Sequence, residues 1–117
     1  MLQRAERYLA AALEVFEELG DRSGKAETLN AYAAVALATG QPAAARERYE
    51  QALRLAEEVD SGRDKADALS GLATISEADG DAGAAVAGYR EALALYESMQ
   101  ADADVTRVRD ILTRLEG

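Results

Sequence analysis

Apolar residues in this chain recur three and four positions apart, and no stretch alternates as a half-buried strand would. The first block, "LQRAERYLAAALEVFEEL", sets the pattern: Leu2, Ala5, Leu9, Ala12, Leu13 and Phe16 share one side of a helix. Breaks follow at "LGDRSG", "TGQP", "VDSGRD", "ADGDAG" and "QADAD". Each combines Gly, Asp, Ser or Pro, residues that cap helices or turn the chain. Pro42 follows its break directly, where the first turn of a helix tolerates a missing N–H. The pattern predicts six helices, at about 2–19, 24–39, 42–59, 63–79, 82–99 and 103–116.

The blocks repeat with a period of 40. "RYEQALRLAE" at Arg48–Glu57 returns as "GYREALALYE" at Gly88–Glu97. Ala45, Tyr49, Ala52, Leu53 and Leu55 superimpose on Ala85, Tyr89, Ala92, Leu93 and Leu95. Upstream, Lys25, Ala26, Leu29 and Ala33 superimpose on Lys65, Ala66, Leu69 and Ala73. The register reaches both ends: Ala5, Leu9, Ala12 and Leu13 match Ala45, Tyr49, Ala52 and Leu53, while Leu112 and Leu115 match Leu72 and Ile75. Helix pairs at fixed spacing imply an all-α solenoid of about six antiparallel helices.

The columns of small and large residues resemble the tetratricopeptide repeat family. Leu29, Tyr32, Ala33 and Ala36, then Leu69, Leu72, Ala73 and Ser76, stand where that family's first helix carries its signature. Ala45, Tyr49 and Ala52, then Ala85, Tyr89 and Ala92, stand where its second helix carries small, aromatic, small. Ala at a crossing lets helix axes approach to about 8–10 Å. The chain departs from the pattern where Ala36 and Ser76 replace an aromatic, and in its period, which exceeds the usual 34 or so. The surplus is expected around "VDSGRD". The longer period resembles the repeats of kinesin light chains and the arrays of bacterial regulators. The implied fold is one right-handed superhelical domain: a half repeat at 1–20, full repeats at 21–60 and 61–100, and a capping helix at 101–117.

The resemblance also implies a concave groove lined by first helices, which holds a peptide or a partner helix. Its places carry Glu27, Asn30, Ala34 and Leu37, then Asp67, Ser70, Thr74 and Glu77, then Arg107, Asp110 and Arg114. Some family members grip a terminal carboxylate there with Lys and Asn. Here Asn30 has no such Lys beside it, so the strip suits a basic or apolar segment of a protein partner better.

Composition narrows the chemistry. The formal charge of −9 disfavours nucleic acid and anionic membrane surfaces as partners. Cysteine and histidine are absent, which removes thiol chemistry and the commonest general base and metal ligand. No apolar run approaches the roughly 18 residues of a membrane span, and the N-terminal block does not read as a signal peptide. A cytoplasmic scaffold without cofactor, metal or catalytic residues is the expectation. Glu17–Glu18, Glu57–Glu58 and Glu77–Asp79–Asp81 are acidic clusters, but they flank turns, as solvated helix surfaces do. "GDRSG" and "GDAG" follow no strand and read as turns, and Tyr49 and Tyr89 read as packing residues.

Helix 1 stands apart. Tyr8 occupies the column of Arg48 and Gly88, Ala10 that of Glu50 and Arg90, and Ala11 that of Gln51 and Glu91. On the reading that this column faces water, Tyr8, Ala11, Val15 and Leu19 form a surplus apolar stripe. Three explanations stay open: a preceding helix of a longer array, a weak homodimer through helix 1, or a tolerated small-residue face. Self-association through this helix is therefore the alternative function to groove binding.

Overall fold

A helix begins every 20 residues. The computed structural model describes residues 2–117, as α1 (Leu2–Leu19), α2 (Arg22–Ala38), α3 (Pro42–Glu58), α4 (Gly62–Ala78), α5 (Ala82–Ser98) and α6 (Asp102–Glu116). The connections are two or three residues long, which forces neighbouring helices to run antiparallel. The described residues contain no strand, and the chain is an all-α helical-repeat solenoid.

One backbone turn serves all five junctions. At each, an N–H just past the helix reaches back five residues: Asp21 to Phe16, Gln41 to Ala36, Ser61 to Ala56, Asp81 to Ser76 and Ala101 to Tyr96, at 2.8–2.9 Å. This is the Schellman closure, and it needs a left-handed residue just before the donor. Gly40 and Gly80 supply it within the helix pairs. Between pairs the same place is held by Gly20, Asp60 and Gln100, with φ of 68°, 56° and 56°. Side-chain caps then restart the helices: Asp21 accepts from the N–H of Gly24 at 2.9 Å, Ser61 from Asp64 at 3.2 Å and Asp81 from Ala84 at 3.1 Å. The cap on Asp21 is why α2 starts at Arg22, two residues before the apolar pattern announces it.

Two sequence expectations are corrected. The surplus over a shorter repeat is not in "VDSGRD": the turns Thr39–Gln41 and Val59–Ser61 are equally long, and the length lies in helices of 17 residues. The column of Tyr8, Arg48 and Gly88 does not face water in the complete pairs. The Arg48 guanidinium lies 3.5 Å above the Tyr32 ring, and an added Cβ at Gly88 would stand 3.0 Å from Ala73 Cβ. This column meets the other helix of its own pair, and a charged residue served there by an aromatic face looked solvent-directed in sequence.

The core has two centres joined by α4. Leu29, Ala33, Ala36, Ala45, Tyr49, Ala52, Ala68 and Ile75 form one. Ala66, Ala73, Ala85, Tyr89, Ala92, Tyr96, Val105, Val108 and Leu112 form the other. α4 gives Ala68 and Ile75 to the first and Ala66 and Ala73 to the second, so its two sides are both covered. α1 has no buried residue and packs on α2 alone.

Candidate functional site

The first helices α2 and α4 touch directly, and a pocket of about 340 Å³ opens between them. α2 contributes Glu27, Asn30, Ala31 and Ala34, one helical turn after another along one face. α4 contributes Asp64 and Asp67 from its first two turns, and Tyr49 of α3 forms the floor. Three carboxylates thus line one pocket that no Lys or Arg lines, although Asp67 is engaged from outside it, paired with Arg63 at 3.5 Å and accepting the Tyr96 hydroxyl at 2.5 Å.

The polar groups here are held but not saturated. Asn30 is buried, and its Nδ2 donates to the backbone carbonyl of Asp64 at 3.0 Å. A carbonyl can only accept, so this bond fixes which way the amide points. Oδ1 is left as the one buried side-chain polar atom without a partner among the described residues. Burial pushes the Asp64 carboxyl above its ordinary value; the Ser61 hydroxyl bond opposes this, while the charges of Glu27 and Asp67 add to it. Burial and the charge of Asp67 also push the Tyr49 phenol up. Both shifts are led by burial; the neighbouring carboxylates add to them, and the charge of Arg63 opposes the shift of Asp64.

The other expected groove residues are differently employed. Leu37 packs on the core. Ser70 is buried and accepts from Arg107 at 3.4 Å. Thr74 donates to the carbonyl of Ser70, so the proton of its 2.7 Å bond with Tyr89 comes from the phenol. Glu77 pairs with Arg114 at 2.8 Å, and Arg107 with Asp104 at 3.4 Å. Asp110 is exposed. The α6 end of the strip is therefore internally neutralised, and the acidic pocket lies at the α2–α4 end.

Asp64 and Ala31 were not among the residues the sequence pointed to, and Tyr49 was read as packing alone. In sequence Asp64 is only the last residue of the break "VDSGRD"; in the structure it lies in the first turn of α4. Most acidic residues noted at the turns are engaged elsewhere: Glu17 with Lys25, Glu57 with Lys65, Glu58 with Arg22, Asp79 with Arg46, and Asp81 as a cap, while Glu18 has no ion-pair partner among the described residues. Among the described residues, no group of three or more potential ligands could hold a metal ion, and no helix is long and apolar enough to cross a membrane.

No curated protein gives a significant match to the chain. A family model described as tetratricopeptide repeat matches residues 1–58, that is α1 to α3. The same helix pair recurs in α4 and α5 with the same turns and small-residue crossings. The chain belongs to the tetratricopeptide repeat family, a typically non-catalytic scaffold whose repeats generally mediate protein–protein interaction.

Proposed function

We propose that this chain is a non-catalytic interaction scaffold that takes a basic segment of a partner protein in its concave groove, with a Lys or Arg side chain entering the α2–α4 pocket. The observation that carries this reading is that Glu27, Asp64 and Asp67 line one pocket with no Lys or Arg in its wall, and that among the described residues only Asp67 of the three has an ion-pair partner, Arg63. An incoming ammonium or guanidinium lowers the cost of holding three carboxylates together. Ala31 and Ala34 offer an apolar wall to its aliphatic stem, and Tyr49 offers a phenol that has no hydrogen-bond partner among the described residues to an acceptor on the peptide backbone. Arg107, Asp110 and Arg114 would meet the far end of a longer segment, where charge is balanced.

Calorimetric titration with a Lys/Arg-rich peptide and with its Asp/Glu-rich counterpart tests this. The basic peptide should bind and the acidic one should not. Glu27→Lys should weaken binding at least tenfold, with an unchanged circular dichroism spectrum, since Glu27 is exposed and makes no internal ion pair among the described residues. Equal binding of both peptides, or an indifferent Glu27→Lys, overturns the reading.

A further inference from the structure

α1 carries an apolar face that the rest of the fold leaves open. Tyr8 is 74%, Leu19 71% and Val15 51% exposed. Tyr8, Ala11, Ala12, Val15 and Phe16 line an apolar depression of about 350 Å³. In the complete pairs the same column is covered. Arg48 stacks on Tyr32 and donates to its carbonyl at 3.4 Å, while Gly88 abuts Ala73. The face of α1 is thus of the kind that elsewhere in this molecule receives an antiparallel helix.

The charges beside it say which helix fits. Arg4 and Arg7 lie on the N-terminal half of α1, Glu14 and Glu18 on the C-terminal half. Arg7, Glu14 and Glu18, spaced by seven and four, follow one edge of the stripe. Among the described residues none of these four has an ion-pair partner, whereas most cations of α2 to α6 do. An antiparallel partner must present acid opposite Arg4 and Arg7 and base opposite Glu14 and Glu18. α1 turned end for end presents that pattern.

We propose that two copies of this chain pair through α1, antiparallel, about a two-fold axis near Ala11. Tyr8 of each copy packs between Ala11 and Val15 of the other, and Arg4 and Arg7 face the other copy's Glu18 and Glu14. Ala11 and Ala12 at the centre permit the close axial approach that such a crossing needs.

Light scattering from micromolar to millimolar concentration reads the association. The mass should rise from 12.4 kDa towards twice that value. The double variants Arg4→Glu/Arg7→Glu and Glu14→Lys/Glu18→Lys should each raise the dimer dissociation constant at least tenfold, and an equimolar mixture of the two should recover the doubled mass. These are exposed sites, and circular dichroism verifies that each variant keeps its helices. Orientation is read by single cysteines in a chain that has none. Ala11→Cys sits beside its own copy and should oxidise to a linked dimer. Leu19→Cys should not, because its copies stand roughly 24 Å apart along the axis, beyond the reach of about 7 Å between Cα atoms that a disulfide allows. A constant monomer mass overturns the proposal and leaves the face to a helix of another kind. A mixture that stays monomeric, or equal cross-linking at both cysteines, also overturns it.

Discussion

Gly71 of α4 and Tyr49 of α3 share one space: a Cβ on the glycine would lie 2.3 Å from Cζ of the tyrosine ring. Gly71 is buried in mid-helix, where glycine costs about 1 kcal/mol relative to alanine. The ring needs the gap more than the helix needs the methyl. Gly71→Ala should therefore destabilise the fold despite its better helix propensity, by about 2 kcal/mol net of the overpacking range. The melting temperature should drop by roughly 5 °C or more. Tyr49→Leu in the same chain should return part of that loss. A Gly71→Ala variant as stable as the parent would mean that the helices slide apart freely at this crossing.

Asp64 and Asp104 titrate with opposite consequences. The folded state holds the Asp64 carboxyl above its ordinary value, chiefly through burial. A raised carboxyl binds its proton more tightly when folded, so ionised Asp64 costs stability at neutral pH, and the cost fades as pH falls through its folded value. Asp104 is held low, first by its hydrogen bond from Arg63. It stabilises at neutral pH and loses that contribution as pH falls through its own folded value. Asp64→Asn keeps an acceptor for the Ser61 hydroxyl, which now bonds Asp64 at 3.1 Å, and removes the charge. The variant should be more stable than the parent at neutral pH, and the gap should close in acid. Urea melts across the acid range measure the gap; one that is constant with pH would remove Asp64 as its source.

Much of this fold was legible because helix and turn repeat together. The columns of Ala45, Tyr49 and Ala52 and of Ala85, Tyr89 and Ala92 are the buried seams they promised to be. The breaks containing Gly40 and Gly80 named their left-handed residue openly. Asp60 and Gln100 did not, because nothing in their chemistry distinguishes a forced left-handed residue from an ordinary loop residue. The groove was legible only as a strip of positions. Which of those side chains stay available depends on long-range pairs such as Glu77 with Arg114, 37 residues apart, that spacing on one helix cannot reveal. Arg48 misled for a related reason: its cation lies on the Tyr32 ring of the neighbouring helix instead of in water.

Two of the three core tyrosines, Tyr49 and Tyr89, should respond differently to loss of a hydroxyl. Tyr89 donates to Thr74 at 2.7 Å. At the equivalent place one period earlier stands Ala34, and the Tyr49 hydroxyl has no protein partner among the described residues. Tyr89→Phe should cost about 1 kcal/mol, while Tyr49→Phe should stay within about 0.5 kcal/mol of the parent. Paired denaturant titrations separate these values. Equal losses would show that the Tyr49 hydroxyl has a partner of comparable worth, which in the acidic pocket would be the carboxylate of Asp67.

α6 should be the part of the structure most sensitive to salt. Its outer contacts are ion pairs: Arg114 with Glu77 at 2.8 Å, Arg90 with Glu116 at 2.7 Å, Arg109 with Glu97 at 2.7 Å and Asp104 with Arg63 at 2.9 Å. Most of these groups are substantially exposed, so each pair contributes a few tenths of a kcal/mol, up to about 1, and added salt screens it. α6 buries only Val105, Val108 and Leu112, against six buried residues on α4. Sodium chloride should therefore accelerate amide exchange in α6 several-fold through local opening, while the amides of α4, covered on both sides by apolar packing, change little. Arg114→Gln should reproduce part of the effect in the last turns at low salt. Uniform acceleration along the chain would mean that α6 opens only when the whole solenoid does.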